Sequence, residues 1–353
     1  MFESLGFDTL TASQAVVILA LVVGVLFGVL AERSKFCFRR GLVGEYRRSA
    51  LGVWLMALAV AVVGTQAAVH AGLITFGDHR FMSTDLPLLA LVIGGGLFGI
   101  GMVLTRGCAS RLTVLIGTGN LRALMSVVVF AIVAHAAMKG LLAPLRVAVT
   151  SVTVPIESAA LPGPAVVWAI VIAAASLIYA LRSGSRPGHL VIAAMIGALV
   201  PLAWVGTGFI LYDDFDPIAM QGLSFTLPAT ETLFFGIASS AIPASFGTGL
   251  IAGVIGGALL SALLFGSFQW QSFETPGQTR RYLLGGALMG LGGVLAGGCT
   301  VGAGLSGVPT LSLAAVIALL SMAAAALLTQ RVLNAAGRVS AAPSTRQSQQ
   351  PAE

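Results

Sequence analysis

Charge is scarce in this chain. Only 9% of its 353 residues are Asp, Glu, Lys or Arg, where soluble domains carry roughly 25%. That scarcity excludes an ordinary water-soluble surface. The four histidines, His70, His79, His135 and His189, show no ligand spacing, so no metal site and no cofactor is expected. Cysteine stops at three, an odd number with no C-x-x-C pair, which argues against a disulfide framework. The ten methionines do not cluster with the cysteines, unlike the soft-ligand strings that select Cu(I). No nucleotide-binding motif is visible, so direct use of ATP is not expected. The first apolar run, Ala15 to Leu30, follows Glu3 and Asp8 with no leading Lys or Arg, unlike a secretory signal peptide.

What the chain has instead is apolar length. It is 57% hydrophobic with 44 glycines and a mean hydropathy of +0.97. These values describe an all-α polytopic membrane protein with glycine-mediated helix packing. A membrane helix needs ~20 apolar residues. Nine spans are expected, starting near Ala12, Leu51, Leu86, Leu121, Ala165, Leu190, Gly247, Tyr282 and Leu311. Three fragments remain, Ser110 to Gly119, Pro228 to Ile242 and Val301 to Gly307. They are too short or too broken to span, and are read as short re-entrant helices. Such backbone survives at membrane depth only when buried in protein or lining a cavity.

Basic residues set the expected orientation. Arg33, Lys35, Arg39, Arg40, Arg47 and Arg48 follow the first span. Arg182 and Arg186 follow the fifth, Arg280 and Arg281 precede the eighth, and Arg331 and Arg338 follow the ninth. Nine spans with an outer N-terminus put all of these on the cytoplasmic side. The formal charge of +6 is then a topology signal rather than a nucleic-acid surface. The expected organisation is an extracytoplasmic N-terminus (1–11), a first half (12–160), a linking span (161–188), a second half (189–332) and a disordered cytoplasmic tail (333–353).

All three cysteines fall in loop-like breaks. The strings are Arg33-Ser-Lys-Phe-Cys37-Phe-Arg-Arg40, Thr105-Arg-Gly-Cys108-Ala-Ser-Arg111 and Ala296-Gly-Gly-Cys299-Thr-Val-Gly-Ala-Gly304. The fifteen residues ending at Cys108 and the fifteen ending at Cys299 share nine identities. In the nine-span scheme those copies run in opposite directions, giving two inverted pseudo-symmetric halves with a site at their interface. Leu26-Phe-Gly28 leading to Cys37 is a weaker echo, and Gly197 to Gly206 is a candidate fourth copy. A lone membrane cysteine is ordinarily a packing residue. Three at equivalent breaks point to a pathway lined by sulfur.

The cysteine strings together resemble the YeeE/YedE family of sulfur-transport membrane proteins, over Leu21 to Leu320. That resemblance implies thiosulfate uptake across the bacterial inner membrane. It also implies an hourglass of central loops in which Cys37, Cys108 and Cys299 serve as pathway thiols. A small cytosolic sulfur-carrier protein is an implied partner. Other relatives handle different sulfur compounds or selenium, which leaves the substrate open.

Thiosulfate is a dianion with a polarizable terminal sulfur. Neutral thiols are weak donors and soft neighbours for it, and a chain of weak sites lets an ion both arrive and leave. Arg106 and Arg111 flank Cys108 and can attract the anion. Thr105, Ser110 and Thr300 can donate hydrogen bonds or cap helices. Gly107, Gly298 and Gly302 suit a backbone N–H nest. Glu231, in a broken apolar segment, is the candidate for a proton or gating role. Two other readings stand beside transport. One is a membrane sulfurtransferase forming a Cys persulfide, and the other is a soft-metal or selenium-compound carrier. Reversible contact rather than a persulfide is expected, since the cysteines lie in separate repeats with no C-x-x-C pair to resolve a persulfide.

Overall fold

The computed structural model describes residues 11–77, 79–213 and 217–340. Thirteen helices run in chain order: α1 (Ala12–Ser34), α2 (Phe38–Val43), α3 (Arg47–His70), α4 (Leu88–Leu104), α5 (Ala109–Gly117), α6 (Leu121–Lys139), α7 (Ala143–Thr150), α8 (Ala165–Arg182), α9 (Pro187–Val205), α10 (Thr226–Ala238), α11 (Phe246–Leu264), α12 (Pro276–Leu295) and α13 (Leu313–Ser340). Among the described residues, nine helical stretches are long and apolar enough to cross a membrane. The protein is an all-α multi-pass membrane protein. Its strand content among these residues is one small pair, Asp85–Leu86 against Val154–Pro155.

Glycine decides which helices meet. Without a Cβ, two backbones approach closely enough to gain dispersion contact that lipid does not replace. Gly24 and Gly28 of α1 face Leu250 O and Val254 O of α11, and Gly253 and Gly257 of α11 return the contact to Leu21 O and Val25 O. Residue numbers rise together on both sides, so α1 and α11 run parallel. α4 and α12 pack the other way. Gly94 lies against Gly292 and Ala296, while Gly101 lies against Gly285. The numbers run in opposite senses, so this pair is antiparallel. Gly94 and Gly285 head the two copies of the repeat, so each copy's first glycine meets the other copy's later segment.

The repeat extends to a third copy in the packing. Gly24 and Gly28, Gly95 and Gly99, and Gly286 and Gly290 stand thirteen and nine residues before the three cysteines. Each pair seats a different helix, α11, α13 and α6 respectively. The residue ten before each cysteine, Phe27, Phe98 or Met289, is fully buried. The echo before Cys37 is therefore a true structural copy. Gly197 to Gly206 is not. Gly197 packs against Ala57 O, but α9 continues without a left-handed break into wide π-type turns at Gly206–Ile210.

One boundary differs from expectation. α13 runs on to Ser340, past the expected start of the tail at 333, because Leu327 to Ala336 remains helix-forming sequence without Gly or Pro. Residues 341–353 and 1–10 lie outside the described residues. Thr11 closes the start of α1 with a capping box to Gln14. The three short fragments appear as α5, α10 and a π-type segment at Thr300–Gly307.

Candidate functional site

The three cysteine breaks share one backbone design. Just past the end of each long helix stands a residue in left-handed conformation: Lys35 at φ +52°, Arg106 at φ +58° and Gly297 at φ +71°. Two residues later the chain is extended at Cys37, Cys108 or Cys299, and each cysteine occupies the N-cap of the next short element. Sulfur is a poor cap compared with Ser or Asp, so helix stability does not account for the choice. The amide three residues on reaches the sulfur at one of the three breaks. Gly302 N–H donates to Cys299 Sγ at 3.3 Å, whereas Cys37 and Cys108 stand at the N-cap without a formed capping hydrogen bond to their sulfurs.

Tertiary packing then gathers the three sulfurs. Cys37, Cys108 and Cys299 are 6%, 1% and 0% exposed. The Cys37 and Cys108 side chains are direct neighbours. Cys108 also faces the Thr300 hydroxyl and sits 3.3 Å from Ser110 Oγ. Cys299 lies within electrostatic range of Cys108. Arg111 stands beside both Cys37 and Cys108, its Nη1 donating to Ala31 O at 3.3 Å. Separation in sequence therefore does not keep the thiols apart. The expectation of reversible contact rested on separate repeats and the lack of a C-x-x-C pair, and the fold nonetheless sets Cys37 beside Cys108.

The other singled-out residues divide. Thr300 Oγ1 faces Cys108 but is buried without a well-formed hydrogen bond, a costly state that a ligand relieves. Thr105 is engaged locally, its hydroxyl lying 3.0 Å from Gly101 O and 2.9 Å from Gly107 O. It ties the break together. A Cβ on Gly298 would meet Ala303 N at 2.8 Å, and one on Gly302 would meet Ser224 Oγ at 2.6 Å, so both glycines permit close approach. Gly107 is looser, with Leu112 Cδ2 at 3.3 Å from the Cβ position. Glu231 is not brought to the cysteines. It accepts from Ser245 Oγ at 2.6 Å and joins α10 to the start of α11.

Two cavities flank the sulfur cluster. One, of about 850 Å³, is lined by Cys37 together with Lys35, Arg39, Arg40, Arg106, Arg111 and Arg281. The other, of about 460 Å³, is lined by His79, Arg80, Trp204, Ser224, Gly302 and Ser306. Gly302 belongs to the wall of the second cavity while its amide holds Cys299, and Cys37 belongs to the wall of the first. Sequence reasoning missed His79 and Arg80. The available signal was Arg80 as the one Lys or Arg in a loop that also carries Asp78 and Asp85. His79 Nδ1 accepts from Phe81 N–H at 3.3 Å. Burial, and secondarily the charge of Arg80, lowers its pKa to about 4. Arg80 is exposed, with its guanidinium 5.3 Å from the centre of the Phe81 ring, and lies within electrostatic range of Cys299.

The sequence matches the family described as "Sulphur transport" over residues 33–328, a span that contains all three cysteine breaks. The chain belongs to the sulphur transport family. Two relatives of this family are called "Thiosulfate transporter TsuA". The one from Spirochaeta thermophila is 29% identical over 318 residues, covering 84% of this chain and 93% of the relative. The one from Escherichia coli K12 is 26% identical over 322 residues, covering 82% and 87%. Sulphur transport family membership makes a small sulfur compound the cargo class.

Proposed function

We propose that this protein takes up thiosulfate across the bacterial inner membrane, along a path through Cys299, Cys108 and Cys37. The observation that carries this reading is the placement of three buried N-cap cysteines between two cavities, with an orphaned hydroxyl, Thr300, among them. The names of the relatives support thiosulfate as the substrate.

In this reading the breaks are re-entrant loops of two inverted halves, residues 12–160 and 189–332, joined by α8 within 161–188. The arginine-rich cavity faces the cytoplasm, the cavity holding Arg80 faces the periplasm, and the termini follow as N-out and C-in. The dianion leaves water at Arg80, passes thiols and backbone N–H groups, and is received by the basic inner cavity. Each thiol offers a weak donor and a polarizable contact to the terminal sulfur. The cation nearest the sulfurs, Arg111, is tied to Ala31 O, which tempers its hold on the anion. Passage therefore proceeds over shallow wells. Arg111, Ser110 and Thr300 complete the central shell, and Arg106 contributes at the inner mouth. The inner cavity also offers a surface for a small cytosolic sulfur carrier.

Uptake of radiolabelled thiosulfate into cells lacking other importers of it tests the reading. The wild type restores uptake. Cys108→Ala reaches the membrane at normal level and does not. Normal uptake by Cys108→Ala would reduce the cysteine to packing.

A further inference from the structure

α1 and α11 run parallel and finish at the same end of the bundle, at Ser34 and Leu264. Leu260, Leu263 and Leu264 are exposed there on a helix long and apolar enough to span the membrane, so their neighbour is lipid. The apolar face does not stop with the helix. It continues through Phe265, 58% exposed, to Trp270, 74% exposed, in the loop 265–275 that joins α11 to α12. The backbone on either side of Trp270 is fastened down. Gln269 N–H donates to Thr118 O and Gln271 N–H to Gly119 O, both at 3.1 Å, and Leu121 N–H donates to Gln271 O at 2.8 Å. Extended backbone sends successive side chains to opposite sides. Gln271 Oε1 accepts from Asn120 and Arg122 at 2.7 and 2.9 Å. Trp270 turns its indole outward instead, with Phe268 edge-on at 5.3 Å. An outward indole on pinned backbone suits a membrane–water boundary, where amphipathic rings sit at headgroup level.

A cation stands beside this aromatic patch. The Arg33 guanidinium, in the last turn of α1, lies 3.8 Å above the centre of the Phe265 ring. It makes no ion pair among the described residues. Stacking occupies one face of the guanidinium and leaves its N–H edge open to a phosphate. The neighbouring Glu32 is engaged elsewhere, accepting from Ser261 Oγ at 2.8 Å and Ser267 Oγ at 2.9 Å.

We propose that the loop between α11 and α12 is an interfacial anchor that binds an anionic phospholipid, with Phe265 and Trp270 entering the headgroup boundary and Arg33 pairing with the headgroup phosphate. The anchor bears on two of the cysteine breaks. Through Ser267 it grips Glu32, three residues ahead of left-handed Lys35. Through Gln269 and Gln271 it grips the turn that ends α5, the helix that Cys108 opens. Lipid at this site steadies both from outside, whatever the protein carries.

Two measurements test the anchor. The chain has four tryptophans, so the emission of Trp270 is read as the difference between wild type and Trp270→Phe in nanodiscs. That component is expected to be quenched by phosphatidylglycerol brominated high on its acyl chains, and to escape aqueous iodide. Native mass spectrometry of the purified protein then follows lipid binding. Arg33→Gln is expected to weaken phosphatidylglycerol binding about fivefold, the worth of one arginine at an anionic surface, and to leave phosphatidylcholine binding unchanged. Gel filtration confirms that both variants fold. A Trp270 component reached by iodide and not by brominated lipid would overturn the anchor and assign the patch to a soluble partner. Equal phosphatidylglycerol binding by wild type and Arg33→Gln would overturn the headgroup contact.

Discussion

Arg106 and Gly297 hold the same left-handed backbone conformation, each two residues ahead of a cysteine. One position carries a long cation and the other no side chain at all. The shared φ follows from the shared break: helix, left-handed residue, extended cysteine, new helix. A side chain in that region costs roughly 1–2 kcal/mol, and strain of this kind persists where surrounding structure over-determines it.

Gly297→Ala is therefore expected to lower stability by about 1 kcal/mol, although nothing nearer than Phe81 at 3.9 Å obstructs the new methyl. Arg106→Gly relieves the strain and adds unfolded-state entropy, terms of about 1 kcal/mol that offset. Its midpoint of thermal unfolding in detergent should stay near wild type. A fall in uptake by that stable variant then reports the side chain at the inner cavity. Equal midpoints for Gly297→Ala and wild type would refute the conformational argument.

Glycine at helix contacts has a different cause and a different test. A Cβ at Gly290 of α12 would lie 2.5 Å from Phe130 O, whereas one at Gly96 of α4 meets nothing within 4 Å. Gly290→Val should cost about 1–3 kcal/mol through overpacking, and lower the amount of folded protein in the membrane. Gly96→Ala should be neutral or slightly stabilising. Fluorescence-detected gel filtration of the two variants decides between them.

Placing Cys37 beside Cys108 gives the covalent alternative a second thiol, so the alternative needs its own measurement. Intact transport moves thiosulfate without cleaving its S–S bond, and the expected mass of protein quenched during uptake is that of three unmodified thiols. A stoichiometric gain of one sulfur on Cys37, Cys108 or Cys299 would favour the sulfurtransferase.

His79 carries the pH prediction. Its pKa falls from 6.5 in the unfolded chain to about 4 in the fold. Between those values the unfolded state binds more protons, so stability declines as pH is lowered from 6.5 toward 4. Protonation also removes the acceptor for Phe81 N–H. His79→Gln should flatten the decline in thermal midpoint across that window. An identical slope in the variant would assign the decline to other groups.

Hydropathy and glycine spacing make much of this protein legible in its sequence. The nine span positions follow because a lipid solvent leaves the chain few options. The Gly-Cys copies at 108 and 299 follow because identical backbone demands leave identical residues. The repeat and the resemblance pointed to one shared passage for the three thiols, but not to which side chains meet there. That Cys37 neighbours Cys108, that Thr300 faces Cys108, and that Arg80 comes within electrostatic range of Cys299 all depend on how separate segments pack. The sites lie far apart along the chain, and no local preference encodes their meeting. Glu231 is a second case: its place in a broken apolar segment was visible in sequence, but its partner, Ser245 at the start of α11, was not. Composition and periodicity determined that the chain is a bundle of membrane helices with three sulfur-bearing breaks. Only the tertiary contacts, among them those of α1 with α11 and of α4 with α12, decided which side chains of those breaks become neighbours, because close packing between helices, and not propensity within them, sets where each break ends.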